Sequence, residues 1–323
     1  MPPLFLVAPD SFKGTFDAAT VTDAIAAGIE EAGGVADRCP VADGGEGTMA
    51  VLLGALGGEQ HEAQVHDPLR RPIEASFGLL PSGKTAIVEV ATASGLPLLA
   101  PDERDPERAD TFGTGELIAA AVAAGARRVL LAAGGSATTD GGRGALDALE
   151  QAGVLGSVEI EVLCDVRTPY EDAARIFAPQ KGADPAAVER LTQRLNDCAA
   201  ELPRDPRGLP MTGCAGGLSG GLWAHGAHLR PGADFVLDAL DFDTRLARAD
   251  AVISGEGRFD PQSLEGKIVG TIASRCAAAG KPLHLIVGEN ALASAPPTFI
   301  PSIVEAGALE EMRRAGWELS RLP

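Results

Sequence analysis

The sequence predicts an α/β fold, and three short apolar runs carry that expectation. Leu4 to Ala8, Val129 to Ala133 and Ala251 to Ser254 are each short enough to be a buried strand. Each leads into a loop rich in Asp, Ser and Gly and then into a segment that reads as a helix. With 323 residues the chain suffices for one large domain or, better, two. The excess of 45 acidic over 27 basic residues, a formal charge of −18, argues against nucleic acid and anionic membrane as partners, because both require a basic surface. Five cysteines lie far apart with no CxxC pair, so a disulfide framework and structural zinc are not expected, and a reducing, cytoplasmic setting is. The N-terminal MPPLFLVAPD has neither the basic nor the long apolar region of a signal peptide, and no run reaches the length of a membrane span.

Taken in order, Leu4 to Ala8 delivers Asp10, Ser11 and Lys13 to the carboxyl end of a strand, where open α/β sheets place ligands. Ala18, Val21, Ile25, Ile29 and Ala32 then recur at helical spacing up to the stop at Gly33-Gly34. The arrangement repeats in Cys39 to Ala42, the loop Asp43 to Thr48, and a helix through Met49 to Leu56. Alternation in Ile73 to Leu79 and in Thr85 to Val90, with Pro81 to Lys84 between them, predicts an antiparallel hairpin and the start of a second subdomain. The charged stretch Ala100 to Ala109 reads as an exposed connection, and Thr111 to Glu116 opens a helix reaching about Ala124.

The stretch GGSATTDGG, Gly134 to Gly142, follows the central apolar run. Glycines there let backbone N–H groups turn toward an anion, Ser136, Thr138 and Thr139 add hydroxyls, and Asp140 adds a carboxylate that could hold a metal; a plain strand-to-helix turn is the competing reading. A helix from Arg143 to Ala152 follows, and Glu159 to Leu163 is a strand that brings Asp165 to its end. Gln180 and Lys181 precede a helix from Pro185 to Ala200, residues 203–210 are a loop, and GCAGGLSGG, Gly213 to Gly221, is a further glycine-rich stretch. His225 and His228, three apart, could meet on a helix, though without a third ligand the metal reading is weak. After Ala251 to Ser254 come a loop from Gly255 to Asp260, a helix from Pro261 to Ala279 and a strand from Leu283 to Val287. Arg258 and Lys267 suit a carboxylate or phosphate, with surface ion pairing as the alternative. GxGxxG and HExxH patterns are absent, and the chain carries Asp/Gly loops with scattered cations, which suit phosphoryl transfer.

APDSFKGT (8–15), ADGGEGT (42–48), GTGELI (113–118), GGSATTDGG, CDV (164–166), PQKGA (179–183) and SGEGRFDPQSLEGK (254–267), in this order, resemble the bacterial glycerate kinase family across nearly the whole chain. The resemblance implies a flavodoxin-like three-layer domain plus a second, restriction-enzyme-like α/β domain, both discontinuous: 1–62 with 112–153 and 241–323, and 63–111 with 154–240, the active site lying in the cleft between them. It further implies transfer of the γ-phosphoryl group of ATP, with Mg²⁺, to D-glycerate to give 2-phosphoglycerate, by a monomer or homodimer. Under it Gly134, Gly135, Ser136, Thr138, Thr139, Asp140 and Gly141 meet the ATP phosphates and Lys13 meets the transferred group. Asp43 or Asp165 ligates the metal or orients the glycerate hydroxyl as a base. Arg258, with Lys181 or Lys267, meets the glycerate carboxylate, and Asp10, Ser11, Gly44, Gly45 and Glu256 complete the substrate set. The chain departs from the family at Thr139, where Asn is usual, at Ile268 and Val269, where a proline commonly follows the lysine, and in its shorter course around Arg204 to Pro210 and after Gly288. A kinase for a related small hydroxy acid, or a non-catalytic metabolite-binding regulator on the same scaffold, are the alternatives.

Overall fold

The computed structural model describes residues 2–264, 267–292 and 300–322. Strands among them are β1 (Leu4–Pro9), β2 (Val35–Arg38), β3 (Glu59–His66), β4 (Pro72–Leu79), β5 (Thr85–Glu89), β6 (Arg128–Ala132), β7 (Glu159–Cys164), β8 (His228–Pro231), β9 (Ala251–Phe259), β10 (Leu283–Asn290) and β11 (Ser302–Glu305). The chain divides into two compact units, Met1–Asp43 with Ala233–Pro323, and Gly44–Gly232.

The first unit holds a five-stranded sheet in the order β11-β10-β9-β1-β2, every pairing parallel. Numbered within the unit, that order is 2-1-3-4-5, the flavodoxin-like arrangement. Burial on both faces explains why Leu6, Val7, Val252, Ile253, Leu285 and Ile286 form apolar runs without alternation, each of them closed to solvent. Phe5, Val7, Ile253 and Ile286 pack with Val21, Ile25 and Ile29 of the helix Ala18–Glu31 and with Met312, Ala315 and Leu319 of the helix Leu309–Leu319. Asp17 caps the first of these helices, its carboxylate accepting the Thr20 N–H at 2.7 Å. The two helices meet at Gly28 and Gly316, where side chains would collide with the Arg313 and Ile25 carbonyl oxygens at 1.8 and 2.4 Å.

The second unit is built on a six-stranded sheet, β3-β4-β5-β6-β7-β8, antiparallel from β3 to β5 and parallel from β5 to β8. Its core gathers Phe77, Val88, Val129, Leu131 and Val162 from the sheet with Leu117 and Ile118 of the helix Phe112–Ala123 and with Leu149 and Leu218. Both units are thus α/β, as the sequence predicts, and the first is discontinuous.

The boundaries fall elsewhere than expected. Residues 44–62 and 112–153 belong to the second unit, because β6 is laddered on one side to β5 and on the other to β7. The expected hairpin is present but short, with β4 and β5 paired only at Gly78↔Ile87 and Leu79↔Ala86; the long antiparallel partner of β4 is the polar β3. Arg258 sits on β9 and not in a loop, since β9 runs on to Phe259 beside β10. The helix expected from Pro261 begins at Ile268, after a single 3₁₀ turn at Pro261–Leu264. Glu265 and Gly266 of the last motif, and part of the region after Gly288 that is expected to be shortened, lie outside the described residues.

Candidate active site

In the flavodoxin-like unit the strand order reverses between β1 and β9, and the carboxyl ends of the strands there line a cavity of about 470 Å³. Asp10, Ser11 and Lys13 enter it from the loop after β1, Asp43 from the segment after β2, Glu256 and Arg258 from β9, Glu289 from β10, and Lys267 from the N-terminus of the helix Ile268–Ala279. Lys13 Nζ stands 3.6 Å from Asp43 Oδ2; the lysine side chain is 57% exposed and the aspartate 5%, so water screens the pair and it adds little to stability. Asp10 is buried, and desolvation together with the charge of Asp43 holds its carboxyl well above the usual carboxylate range, against the pull of Lys13 and of the Ser11 N–H, which donates to Asp10 at 2.6 Å. Desolvation likewise pushes Glu256 up to about 7, offset in part by a hydrogen bond from Ser263 and by Lys267. Glu256 Oε1 is buried without a hydrogen-bond partner among the described residues. Arg258 Nη1 pairs with Glu289 Oε2 at 3.1 Å, both side chains more than half exposed.

In the other unit the loop after β6 and the end of β7 line a cavity of about 300 Å³, with Gly134, Gly135, Ser136, Asp165, Gln180, Lys181, Glu46 and Cys214 to Gly216 around it. Lys181 is buried, and its Nζ donates to Ser136 Oγ at 2.9 Å and to the Thr138 carbonyl at 2.6 Å. Desolvation lowers its pKa to about 8, with Asp140, Asp165 and Cys214 acting in the opposite direction.

Only part of GGSATTDGG faces this cavity. Thr138 and Thr139 are fully buried behind it, the Thr139 hydroxyl without a partner among the described residues. The Asp140 carboxylate accepts four hydrogen bonds, from the Thr111 N–H and hydroxyl and from the Gly142 and Gly144 N–H groups, at 2.8 to 3.1 Å. It therefore anchors the start of the helix Arg143–Gln151 and is spent as a metal ligand, correcting that expectation; the anchor depends on Thr111, a residue 29 positions away. Gly141 is turned away as well, its carbonyl accepting from the Tyr170 hydroxyl at 3.3 Å. Behind the loop stands GCAGGLSGG, to which the sequence assigns no role. Ala215, Gly216 and Gly217 are left-handed in succession, and a side chain on Gly216 would lie 2.0 Å from the Thr138 carbonyl oxygen.

The structure brings Asp10, Ser11, Lys13, Asp43, Glu256, Arg258 and Lys267 to one cavity, and Gly134, Gly135, Ser136, Asp165 and Lys181 to the other. Gly44 and Gly45 line neither. Gly44 has φ +94° and is pressed against Leu163 and Gly232, while Gly45 lies against Gly134. Glu46, Asp260 and Glu289 line the cavities without having been singled out, although the first two sit inside recognised motifs. His225 closes the helix Leu218–Ala224 and His228 opens β8, so the two histidines share no helix. Among the described residues no group of three or more His, Cys, Asp or Glu could hold a metal by itself, and no helix is long and apolar enough to cross a membrane.

Comparison with known proteins gives these cavities a context. The glycerate kinase family model matches residues 5–154 and 150–300. A glycerate kinase of Haemophilus influenzae is 39% identical, over 88% of this chain and 85% of its own length. A glycerate 2-kinase of Escherichia coli is 36% identical, over 88% of this chain and 84% of its own. A crystal structure from Salmonella typhimurium LT2, provisionally described as glycerate kinase 2, superposes with a TM-score of 0.83 at 33% identity, covering 99% of this chain and 98% of that one. With its sequence matched over residues 5–300 and its fold shared, the chain belongs to the glycerate kinase family.

Proposed function

We propose that this protein transfers the γ-phosphoryl group of ATP to D-glycerate, giving 2-phosphoglycerate. The observation that carries the reading is the buried Lys181 bonded to the 134–142 loop at the end of a parallel strand, in a chain whose other cavity offers Lys13, Arg258 and Lys267 beside carboxylates. Gly134 and Gly135 present backbone N–H groups to the nucleotide phosphates, with Ser136 and the Lys181 ammonium beside them. Lys181, expected with Arg258 at the acceptor, is thereby reassigned to the nucleotide.

Arg258 and Lys267 take the glycerate carboxylate. Arg258 exchanges Glu289 for it at little cost, because that surface pair is screened by water. Lys13 neutralises the transferred group, and Asp43 orients the acceptor hydroxyl. Phosphoryl transfer asks mostly for positioning and charge neutralisation, so no strong base is needed.

Mg²⁺ is ordinarily held by one or two carboxylates and by phosphate oxygens. The donor set fits such a hard cation: Asp43 and Asp165 each reach a cavity, and Glu256 Oε1 beside Asp43 is buried with no hydrogen-bond partner among the described residues. When bound, the cation neutralises charge on the phosphate oxygens. All five cysteines are free, which supports a cytoplasmic location.

The test is ADP release from MgATP with D-glycerate, and with L-glycerate, tartronate or no acceptor as controls. Turnover selective for D-glycerate is expected. Preference for tartronate would move the protein to another hydroxy acid, and no turnover with any acid would favour a regulator.

A further inference from the structure

We infer that Glu89 is a positioning residue for the nucleotide cavity of the six-stranded unit, its carboxylate fixing the 44–48 loop against the 134–136 loop. The inference rests on the nucleotide reading of that cavity. Glu89 is the last residue of β5 and is buried. Its Oε1 accepts the Met49 N–H at 2.7 Å, and the carboxylate also accepts from the Gly47 N–H. The helix Thr48–Leu56 has no capping side chain of its own, since its N-cap is Gly47 at φ +91°. A carboxylate arriving from a distant strand therefore satisfies the N–H groups that the helix leaves open and meets its positive end.

The same residue stands at the root of the other loop. Parallel pairing sets Glu89 opposite Ala132, two residues before Gly134. The segment that follows Glu89 carries the loop directly: the Leu96 N–H donates to the Gly135 carbonyl, and the Ala137 N–H to the Ser94 carbonyl, both at 2.9 Å. Gly45 closes the contact, its Cα only 2.6 Å from where a side chain on Gly134 would begin. One residue thus ties together two loops that line the cavity, its side chain holding the loop bearing Glu46 and its backbone, with the segment that follows, holding the loop bearing Ser136. Burial pushes the Glu89 carboxyl up to about 7, with the charge of Glu46 adding to the effect, so its hydrogen bonds are made against a desolvation cost.

The test measures MgADP binding by calorimetry, and KM for MgATP and for D-glycerate, on the full chain. Glu89→Ala should weaken MgADP about tenfold, the loss of charge-assisted bonds to two N–H groups, while leaving KM for D-glycerate within about twofold. Glu89→Gln, which keeps an acceptor of the same reach, should recover affinity to within about threefold of the parent. Should the alanine variant fail to fold, Glu89→Asp carries the test, its shorter arm costing about threefold in MgADP affinity. Unchanged MgADP affinity, or an equal rise in both KM values, would overturn the inference. A parent that binds MgADP but phosphorylates no D-glycerate would fail the kinase reading alone.

Discussion

Lys181 is a cation held among neutral partners, donating to a serine hydroxyl and a backbone carbonyl inside a buried site. Its pKa falls from 10.5 to about 8, so between these values the unfolded chain binds the proton that the folded chain has released. Stability from this group therefore rises with pH across that window, and the cost of burying the charge is fully felt below pH 8. Function runs the other way. The ammonium that attracts phosphate is lost as pH rises through about 8, so KM for MgATP should climb above that pH in the parent and be high and flat in Lys181→Met; a parent whose KM ignores pH 8 would remove Lys181 from the phosphates. The types of residue at the site were legible in sequence, because Asp10, Lys13, Asp43, Asp165 and Arg258 lie in loops or strand ends that alternate with helices. Their orientation was not. Nothing local says that Asp140 turns inward to Thr111 while Ser136 turns outward to Lys181, because both partners are remote in sequence.

At the scale of elements, close backbone approach does as much as side-chain packing. Gly28 lets Ala18–Glu31 meet Leu309–Leu319, and a methyl group there would stand 1.8 Å from the Arg313 carbonyl oxygen, a contact relieved only by moving a helix. Gly28→Ala, despite alanine's better helix propensity, should therefore destabilise the protein by about 1–3 kcal/mol, read as a lowered midpoint in urea. A midpoint equal to or above the parent's would contradict this packing. Periodicity finds elements that bury a stripe or a whole face, such as Ala18–Glu31 and β1, and misses those that do not. The strand β3 reads EQHEAQVH and has one buried residue, Val65; β2, VADR, has none. Both are strands because a neighbour's ladder holds them. The extension of β9 through Gly255 and Gly257 was hidden for a related reason: glycine signals a loop, yet a side chain on Gly255 would strike the Ile286 carbonyl oxygen at 1.8 Å, and β10 can only lie alongside because there is none.

The whole molecule is one flavodoxin-like unit interrupted after Asp43 by 189 residues that form their own mixed sheet, Gly44 to Gly232. Two α/β units were foreseeable from the sequence, but the assignment of β6 was not, since an apolar strand followed by a glycine loop fits either sheet until its neighbours are known. Against a net charge of −18, the cations gathered at each cavity, Lys181 in one and Lys13, Arg258 and Lys267 in the other, stand out. The central claim, phosphorylation of D-glycerate at position 2, is tested most directly on its product. MgATP and D-glycerate are incubated with the protein, the nucleotide is removed, and enolase is added without a mutase. Consumption of the product by enolase alone is the predicted result; a product that enolase takes only after a mutase is supplied would place the phosphoryl group on position 3 and contradict the account.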